Sequence, residues 1–248
     1  MKNFLSIDQG TTSSRSIIFD ANLNLVTDAQ EEYDLTYPED GWVELEPKKI
    51  IETVTNTLNK VVSADIGLEA CGITNQRETT IVWSKSTGEA IYPGIVWQDR
   101  RTHEYCSYLK SNGHEPVIKE KTGLLLDPYF SATKIKWILD NVDGAREKAS
   151  KGELLFGTVD SYLIYMLSKE KNHFTDVTNA SRTLLFNIKS MEWDDELLEL
   201  FEIPKTMMPK VLSCDGDFGN LKINDCEIPI RGVIGDQQAA LVGQGCFN

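Results

Sequence analysis

The sequence lacks the features of a secreted or membrane protein. Its five cysteines are odd in number and widely spaced, with no Cys-x-x-Cys pair, which argues against a disulfide framework or a zinc site. The apolar runs are too short to cross a bilayer, and the first of them meets Asp8 too soon to form a signal peptide. We therefore expect a cytoplasmic protein with no membrane partner.

Positive charge is also scarce. The chain carries 25 Lys and Arg against 38 Asp and Glu, a formal net charge of -13 over 248 residues. This excess of negative charge argues against nucleic acids and anionic membrane surfaces as partners. A phosphorylated substrate would need local backbone N–H groups or a metal ion to overcome it.

Common catalytic signatures are missing as well. There is no Gly-Lys dipeptide, and therefore no Walker A loop, and no H-E-x-x-H, G-x-S-x-G or complete G-x-G-x-x-G. The histidines, His103, His114 and His173, have no paired spacing and are expected to be surface or hydrogen-bonded structural residues. Asn179-Ala180-Ser181 matches a glycosylation pattern, which we expect to be coincidental in a cytoplasmic chain.

What is present is a mixture of strand and helix patterns that predicts an α/β fold. Several strands look like hairpin pairs, so a mixed sheet with flanking helices is favoured over a purely parallel one. Asp160 and Asp194 are the expected N-caps of the last two helices. The predicted strands are 4–7, 15–19, 70–74, 79–83, 91–97 and 229–234, and the predicted helices are 47–62, 102–110, 131–141, 161–168 and 195–201.

The loop after the first strand contains an acid, a glycine and several hydroxyl residues. Such residues suit an ordinary hairpin turn. They also suit a phosphate-binding loop, because small residues leave backbone N–H groups and hydroxyls accessible, and Asp8 could hold Mg²⁺ directly or through water. The residues concerned are Gly10, Thr11, Thr12, Ser13 and Ser14.

A second aspartate follows the last strand in a similar setting. Asp8-Gln9-Gly10 and Gly235-Asp236-Gln237 both place an aspartate where an apolar strand meets a glycine-containing turn. If both strands belong to one sheet, the two carboxylates face the crevice outside the strand ends. Asp236 could then accept the proton of a hydroxyl nucleophile, as the catalytic carboxylate of a kinase does.

Arg77 and Glu78 lie in the polar loop between two predicted strands. Adjacent opposite charges in a loop are usually a solvated ion pair, but together they also offer a donor and an acceptor for the hydroxyls of a polyol. Trp97 and Tyr129 offer flat apolar faces for a carbon backbone, although each would otherwise be assigned to the core.

Taken together, these segments resemble the FGGY family of carbohydrate kinases, and within it the members that phosphorylate glycerol. The stretch from residue 129 to 141 fits the family's first signature pattern, with Ser131, Lys134 and Trp137 in place. The matching segments are IDQGTTSSRSIIFD, YPEDGWVELEP, GITNQRETTIVW, IVWQDRRT, TGLLLDPYFSATKIKWILDN, ELLFGTVDSYLIY, TDVTNASRTLLFN and IPIRGVIGDQQAALVGQ.

The resemblance implies a ribonuclease H-like or actin-like fold and transfer of the ATP γ-phosphate to glycerol, with Mg²⁺ as cofactor. Asp236 matches the catalytic base, and Asp8 matches the residue that meets the transferred phosphate and its Mg²⁺. The other implied residues are Gly10, Thr11, Thr12, Ser13 and Arg15 near the phosphate, and Arg77, Glu78, Trp97, Tyr129, Asp236 and Gln237 around glycerol.

The resemblance extends along residues 1–248 to the family's N-terminal domain. It implies that a C-terminal nucleotide-binding domain, absent from this chain, completes the ATP site, and that the full-length enzyme is a homo-oligomer. The segment 219–227 lacks the glycine-rich, arginine-bearing loop of regulated relatives. Two alternatives stay open: a kinase for another polyol or sugar, such as erythritol or xylulose, and a non-catalytic sugar- or nucleotide-binding domain of the actin-like group.

Overall fold

A computed structural model describes residues 2–63 and 65–246 of the chain. The strands are β1 (Asn3–Gln9), β2 (Ser13–Asp20), β3 (Leu25–Glu32), β4 (Glu44–Leu45), β5 (Leu68–Asn75), β6 (Ile81–Ser84), β7 (Gly94–Ile95), β8 (Leu154–Gly157), β9 (Phe174–Asp176), β10 (Phe186–Asn187), β11 (Glu192–Trp193), β12 (Lys210–Leu212), β13 (Asn220–Ile223) and β14 (Cys226–Gly235). The helices are α1 (Pro47–Val61), α2 (His103–Ser111), α3 (Glu115–Thr122), α4 (Ser131–Asn141), α5 (Ala145–Ser150), α6 (Val159–Leu167), α7 (Val177–Ala180), α8 (Asp195–Leu200) and α9 (Asp236–Gly243), with a 3₁₀ turn at Lys205–Met207.

The central sheet is mixed, in the order β13-β14-β5-β1-β2-β3. Strands β14, β5 and β1 run parallel, whereas β2, β3 and β13 are antiparallel to their neighbours. The sheet confirms the expected α/β class. Of the hairpin-like strand pairs, β1 and β2 do pair, whereas β6 pairs with β8 and not with the preceding strand β5.

One hydrophobic core lies between this sheet and helices α1 and α6. Pro47 at the first turn begins α1, and its buried residues recur at helical spacing on one face. The core includes Leu5, Ile7, Ile18, Ile50, Val54, Leu58, Ile73, Leu163 and Val233.

A second core lies around the β6–β8 ribbon and the helices beside it. It includes Val82, Leu109, Ile135, Ile138, Ala149, Phe156, Leu197 and Phe201. The cores lie close together in the chain: Trp83 of β6 belongs to the first and Val82 to the second. Ile73 near the end of β5 belongs to the first core and Ala132 near the start of α4 to the second, so packing holds both segments in place.

Several predicted boundaries change in the structure. The strand expected at 91–97 shrinks to Gly94–Ile95, and the one at 79–83 is Ile81–Ser84. Asp160 is not an N-cap: it lies in the first turn of α6, after the cap residue Thr158, because burial and hydroxyl partners hold its side chain inward. Asp194 does cap α8, accepting from Leu197 N at 3.1 Å.

None of the helices in the described parts of the chain is long and apolar enough to span a bilayer.

Candidate active site

The carboxyl ends of three parallel strands meet at one edge of the central sheet. Asp8 lies near the end of β1, Arg77 and Glu78 follow β5, and Asp236 follows β14. Asp8 and Ile234 are both level with Thr74 of β5, which lies between their strands. The two aspartates therefore belong to one sheet edge, which the sequence predicted only on the condition that both strands share a sheet. This edge is where α/β sheets bind ligands.

The loop between β1 and β2 is a tight hairpin turn. Gly10 N donates to Ser13 O at 2.9 Å, so its N–H group is used within the turn. Thr11 and Ser13 are half-exposed and Thr12 is exposed, whereas Ser14 points into the core and contacts Gln9. The same loop can therefore be both a hairpin turn and a phosphate-binding loop, because the turn presents hydroxyl residues at the sheet edge.

Asp8 is half-exposed in a negatively charged setting. Burial raises the pKa of its carboxyl above the ordinary value, and the nearby charge of Asp236 raises it further. The positive charge of Arg15, which lies opposite Asp8 in the β1–β2 pair, lowers this pKa. Arg15 is itself paired with Asp28 at 2.8 Å. A carboxylate near a second negative charge favours a bound cation, and Mg²⁺ is commonly held by one or two carboxylates together with phosphates and water, so Asp8 fits such a role.

Arg77 and Glu78 are buried, with side-chain exposures of 3% and 2%, and are therefore not the solvated pair that a polar loop suggested. Arg77 Nη1 donates to Gln238 Oε1 at 3.2 Å. Its Nε lies 3.3 Å from Asp236 Oδ1 but lacks hydrogen-bond geometry there, and it has no other partner among the described residues. A buried guanidinium with an unused donor beside a half-exposed carboxylate suits a polar ligand.

Glu78 is fixed by residues far away in the sequence. Arg182 Nε donates to its Oε1 at 2.6 Å, and its backbone adopts a left-handed φ of 62°. The buried ammonium of Lys134 donates to the Glu78 carbonyl at 3.2 Å and to the Tyr129 carbonyl at 2.6 Å. Burial raises the pKa of the Glu78 carboxyl, with Arg182 opposing the rise, and burial lowers the pKa of Lys134 to about 7.

Two aromatic residues form a wall beside this loop. Trp97 Nε1 donates to Thr11 Oγ1 at 3.1 Å, which joins the wall to the hairpin turn. The rings of Trp97 and Tyr129 lie 5.6 Å apart at 61°, and both side chains are only partly buried, unlike core aromatics. Gln237 is exposed in the first turn of α9, and its N–H donates to Asp236 Oδ1 at 2.7 Å.

Asp8, the β1–β2 turn, Arg77, Glu78 and Asp236 thus lie at one edge of the sheet, and Trp97 and Tyr129 lie beside it, whereas Ser14 points into the core. Arg182 was missed, although its segment TDVTNASRTLLFN was noted, because a lone arginine in the turn after α7 gives no local signal of its contact with Glu78. Lys134 was noted only as part of a pattern, and its buried contacts with two carbonyls had no sequence signal.

Comparisons with known proteins show the family of the chain. Residues 3–243 match the model of the N-terminal domain of the FGGY family of carbohydrate kinases. The glycerol kinase of Alteromonas mediterranea is 57% identical over 254 residues, covering 100% of this chain and 51% of that protein. The glycerol kinase of Oceanobacillus iheyensis is 55% identical with the same coverage. The chain therefore spans about half the length of the curated relatives it matches.

Solved structures give the same result. The crystal structure of Plasmodium falciparum glycerol kinase with ADP matches with a TM-score of 0.95 and 35% identity, over 100% of this chain and 51% of that one. Gluconate kinase from Lactobacillus acidophilus, at 23% identity and a TM-score of 0.87 over 98% of this chain and 50% of that one, shows the shared fold alone. The chain belongs to the FGGY family of carbohydrate kinases and corresponds to the N-terminal domain of that family.

Proposed function

We propose that this chain forms the polyol- and phosphate-binding half of an ATP-dependent glycerol kinase. The observation that carries the proposal is the meeting of Asp8 and Asp236 at one sheet edge, beside the buried pair Arg77 and Glu78. The relatives named glycerol kinase, at 57% and 55% identity over the whole chain, support glycerol as the acceptor.

Glycerol is held by complementary polar groups and an apolar wall. The Arg77 guanidinium donates to hydroxyl oxygens, and the Glu78 carboxylate accepts hydroxyl protons. Trp97 and Tyr129 cover the carbon backbone, and Gln237 at the start of α9 adds an amide. A hydrogen bond to a charged group in a buried site contributes about 1.5–3 kcal/mol, so two such groups can select a small triol.

Asp236 accepts the proton of the primary hydroxyl. It is 47% exposed, and Arg77 lies 3.3 Å away and keeps a positive charge beside it. As the hydroxyl oxygen forms its bond to the γ-phosphorus, the bond from that phosphorus to the bridging oxygen of ADP breaks, and the proton moves to Asp236. The products are sn-glycerol 3-phosphate and ADP.

The phosphate end of the reaction lies at the β1–β2 turn. Thr11, Thr12 and Ser13 offer hydroxyl groups to the γ-phosphate from a turn that is closed by the bond from Gly10 N to Ser13 O, and Arg15 adds a positive charge next to Asp8. Mg²⁺ held at Asp8 would neutralise charge on the phosphates, which is the chemistry that it supplies in phosphoryl transfer.

We further propose that ATP is bound jointly with a C-terminal nucleotide-binding domain. This rests on the curated relatives, of which the chain spans about half. Helix α9 buries none of its residues, and Leu241 and Val242 are exposed on it, which suits a surface that another domain covers. We also propose that the full-length enzyme is a cytoplasmic homo-oligomer.

The nearest alternative is a kinase for another acceptor, since a gluconate kinase shares the fold. The discriminating experiment titrates glycerol, erythritol, xylulose and gluconate against the chain, with calorimetry and intrinsic tryptophan fluorescence as readouts. We expect a response to glycerol at concentrations where the other three give none. Tighter binding of another acceptor would overturn the choice of glycerol.

A second assay addresses catalysis. The chain is fused to the second half of the Alteromonas mediterranea glycerol kinase, and ADP release from MgATP is followed with and without glycerol. We expect glycerol-dependent release from the fused enzyme. Glycerol binding without ADP release would favour the non-catalytic alternative.

A further inference from the structure

Helix α7 lies behind the candidate site and begins at a buried carboxylate. Asp176 Oδ1 accepts from Asn179 N at 3.0 Å and from Asn179 Nδ2 at 2.8 Å. Its Oδ2 accepts from Thr178 N at 2.8 Å and from Thr178 Oγ1 at 2.6 Å. One carboxylate thus orients both polar side chains of a single helical turn.

The first of these side chains reaches the strand that carries Asp236. Gly235 N donates to Thr178 Oγ1 at 2.8 Å. The Thr178 hydroxyl gives its proton to Asp176, so a lone pair of its oxygen is directed at the Gly235 N–H. Gly235 is the residue before Asp236, and this bond therefore fixes the backbone at the start of α9.

The second side chain reaches the strand that carries Arg77 and Glu78. Asn179 and Asn75 form a reciprocal amide pair, with N···O distances of 3.0 and 3.1 Å. Asn75 Nδ2 also donates to Gln76 O at 2.7 Å, at the start of the loop. Asn75, Asp176 and Asn179 are all fully buried, so water cannot replace these bonds.

We propose that Asp176 is a positioning residue with two separable branches, in which Thr178 places the base Asp236 and Asn179 places the substrate loop of Arg77 and Glu78. The inference rests on the proposed function. Asp176 itself is separated from Asp236 by Thr178 and Gly235, and from Arg77 by Asn179, Asn75 and Gln76, and so acts only through other residues. Interactions of this kind hold reacting groups within the narrow tolerances that phosphoryl transfer requires.

The two branches predict different kinetic signatures in the fused enzyme. Thr178→Val removes the acceptor for Gly235 N with little change in shape, and we expect kcat to fall about tenfold or more while the KM for glycerol stays within about threefold. Thr178→Ser keeps the hydroxyl and should restore kcat. Asn75→Leu breaks the amide pair and should instead raise the KM for glycerol about tenfold or more.

Thr57→Val is the matched control. Thr57 is likewise a hydrogen-bonded threonine, although it is fully buried and Thr178 only partly so. Its hydroxyl contacts Ser16 Oγ and Val54 O at 2.9 Å each, and it lies in α1 away from the sheet edge. Because Thr57 is the more buried of the two, we expect Thr57→Val to lower the unfolding temperature at least as much as Thr178→Val and to leave kcat and KM unchanged. If Thr178→Val behaves in the same way, the inference is wrong and α7 is only structural.

Amide hydrogen exchange in the 248-residue chain gives a readout that does not depend on turnover. In Thr178→Val the Gly235 amide should exchange at least about tenfold faster, whereas the Val233 amide, which donates to Cys214 O at 2.9 Å, should be unchanged. Unaltered protection of Gly235 would overturn the Thr178 branch. Absence of glycerol binding and phosphorylation in the wild type would instead refute the proposed function, so the two failures are distinguishable.

Discussion

Replacing Gly235 by alanine tests the site through packing alone. Gly235 has φ of −60° and ψ of 148°, a conformation that alanine adopts without strain. A Cβ there would lie only 2.4 Å from Arg77 Cδ, 2.9 Å from Arg77 Cγ and 3.1 Å from Gln238 Oε1. Ordinary contact begins near 3.4 Å, so the Arg77 stem must move by about 1 Å (3.4 − 2.4).

This shift moves the guanidinium away from the position between Glu78 and Asp236. The loss of one well-placed hydrogen bond from a charged donor costs about 1.5–3 kcal/mol, which corresponds to roughly a ten- to hundredfold rise in the Kd for glycerol. Overpacking also costs about 1–3 kcal/mol of stability, so binding has to be measured well below the unfolding temperature.

The assay is calorimetric titration of glycerol into the Gly235→Ala chain beside a matched variant. Gly243→Ala makes the same change at the other end of α9, where a Cβ meets nothing within 4 Å. Alanine in place of glycine there should leave glycerol binding unchanged and stabilise the helix slightly. If Gly235→Ala binds glycerol with the wild-type Kd, Arg77 does not bind the substrate in the way we propose.

Substitutions at other positions should have different effects on kinetics and stability. Asp236→Asn in the fused enzyme should lower kcat about 10²- to 10⁴-fold and leave the KM for glycerol within a few-fold, and a kcat within threefold of wild type would exclude Asp236 as the base. Arg77→Ala and Glu78→Gln should each cost roughly 1–3 kcal/mol of the free energy of glycerol binding and so mainly raise the KM for glycerol. Unchanged steady-state kinetics in both variants would remove these residues from the substrate site. Burial and the charge of Asp176 raise the pKa of Asp160 from 3.8 to about 7. Between these two values the unfolded chain loses the Asp160 proton while the folded chain keeps it, so the free energy of unfolding falls as the pH rises from about 4 to about 7. Thermal unfolding should therefore show Asp160→Asn gaining on wild type between about pH 4 and 7 and then levelling off, and a difference independent of pH would contradict the shift.

Strong local patterns were enough to predict the parts of the fold with clear periodicity. Helix α4 has the predicted bounds, because its apolar residues recur at helical spacing from Ser131 to Asn141. The parallel arrangement of β1 and β14 could be expected only conditionally, from an aspartate at the end of each strand. The sequence could not show whether Arg77 and Glu78 form a surface pair or a buried pair, because their burial is set by residues distant in the chain.

Other elements depend on contacts that no local pattern shows. Strand β3 (Leu25–Glu32) was not predicted, because it is a largely exposed, acid-rich edge strand that is defined by pairing with β2. The strand expected at 91–97 was too long, since Pro93 precedes the paired residues and the chain turns away after Ile95. The contacts of Arg182 with Glu78 and of Asn179 with Asn75 each join residues 104 positions apart.

The position of β14 between β13 and β5 has a consequence for synthesis of the protein. Arg77 and Gln238, which meet across the site, are 161 positions apart, an interval that takes a ribosome on the order of 10 s at typical elongation rates. During this interval β5 already carries its apolar residues, but its free edge has no partner strand. Such an edge recruits strands from other chains, so we expect the nascent protein to be prone to aggregate until β14 emerges and pairs with β5.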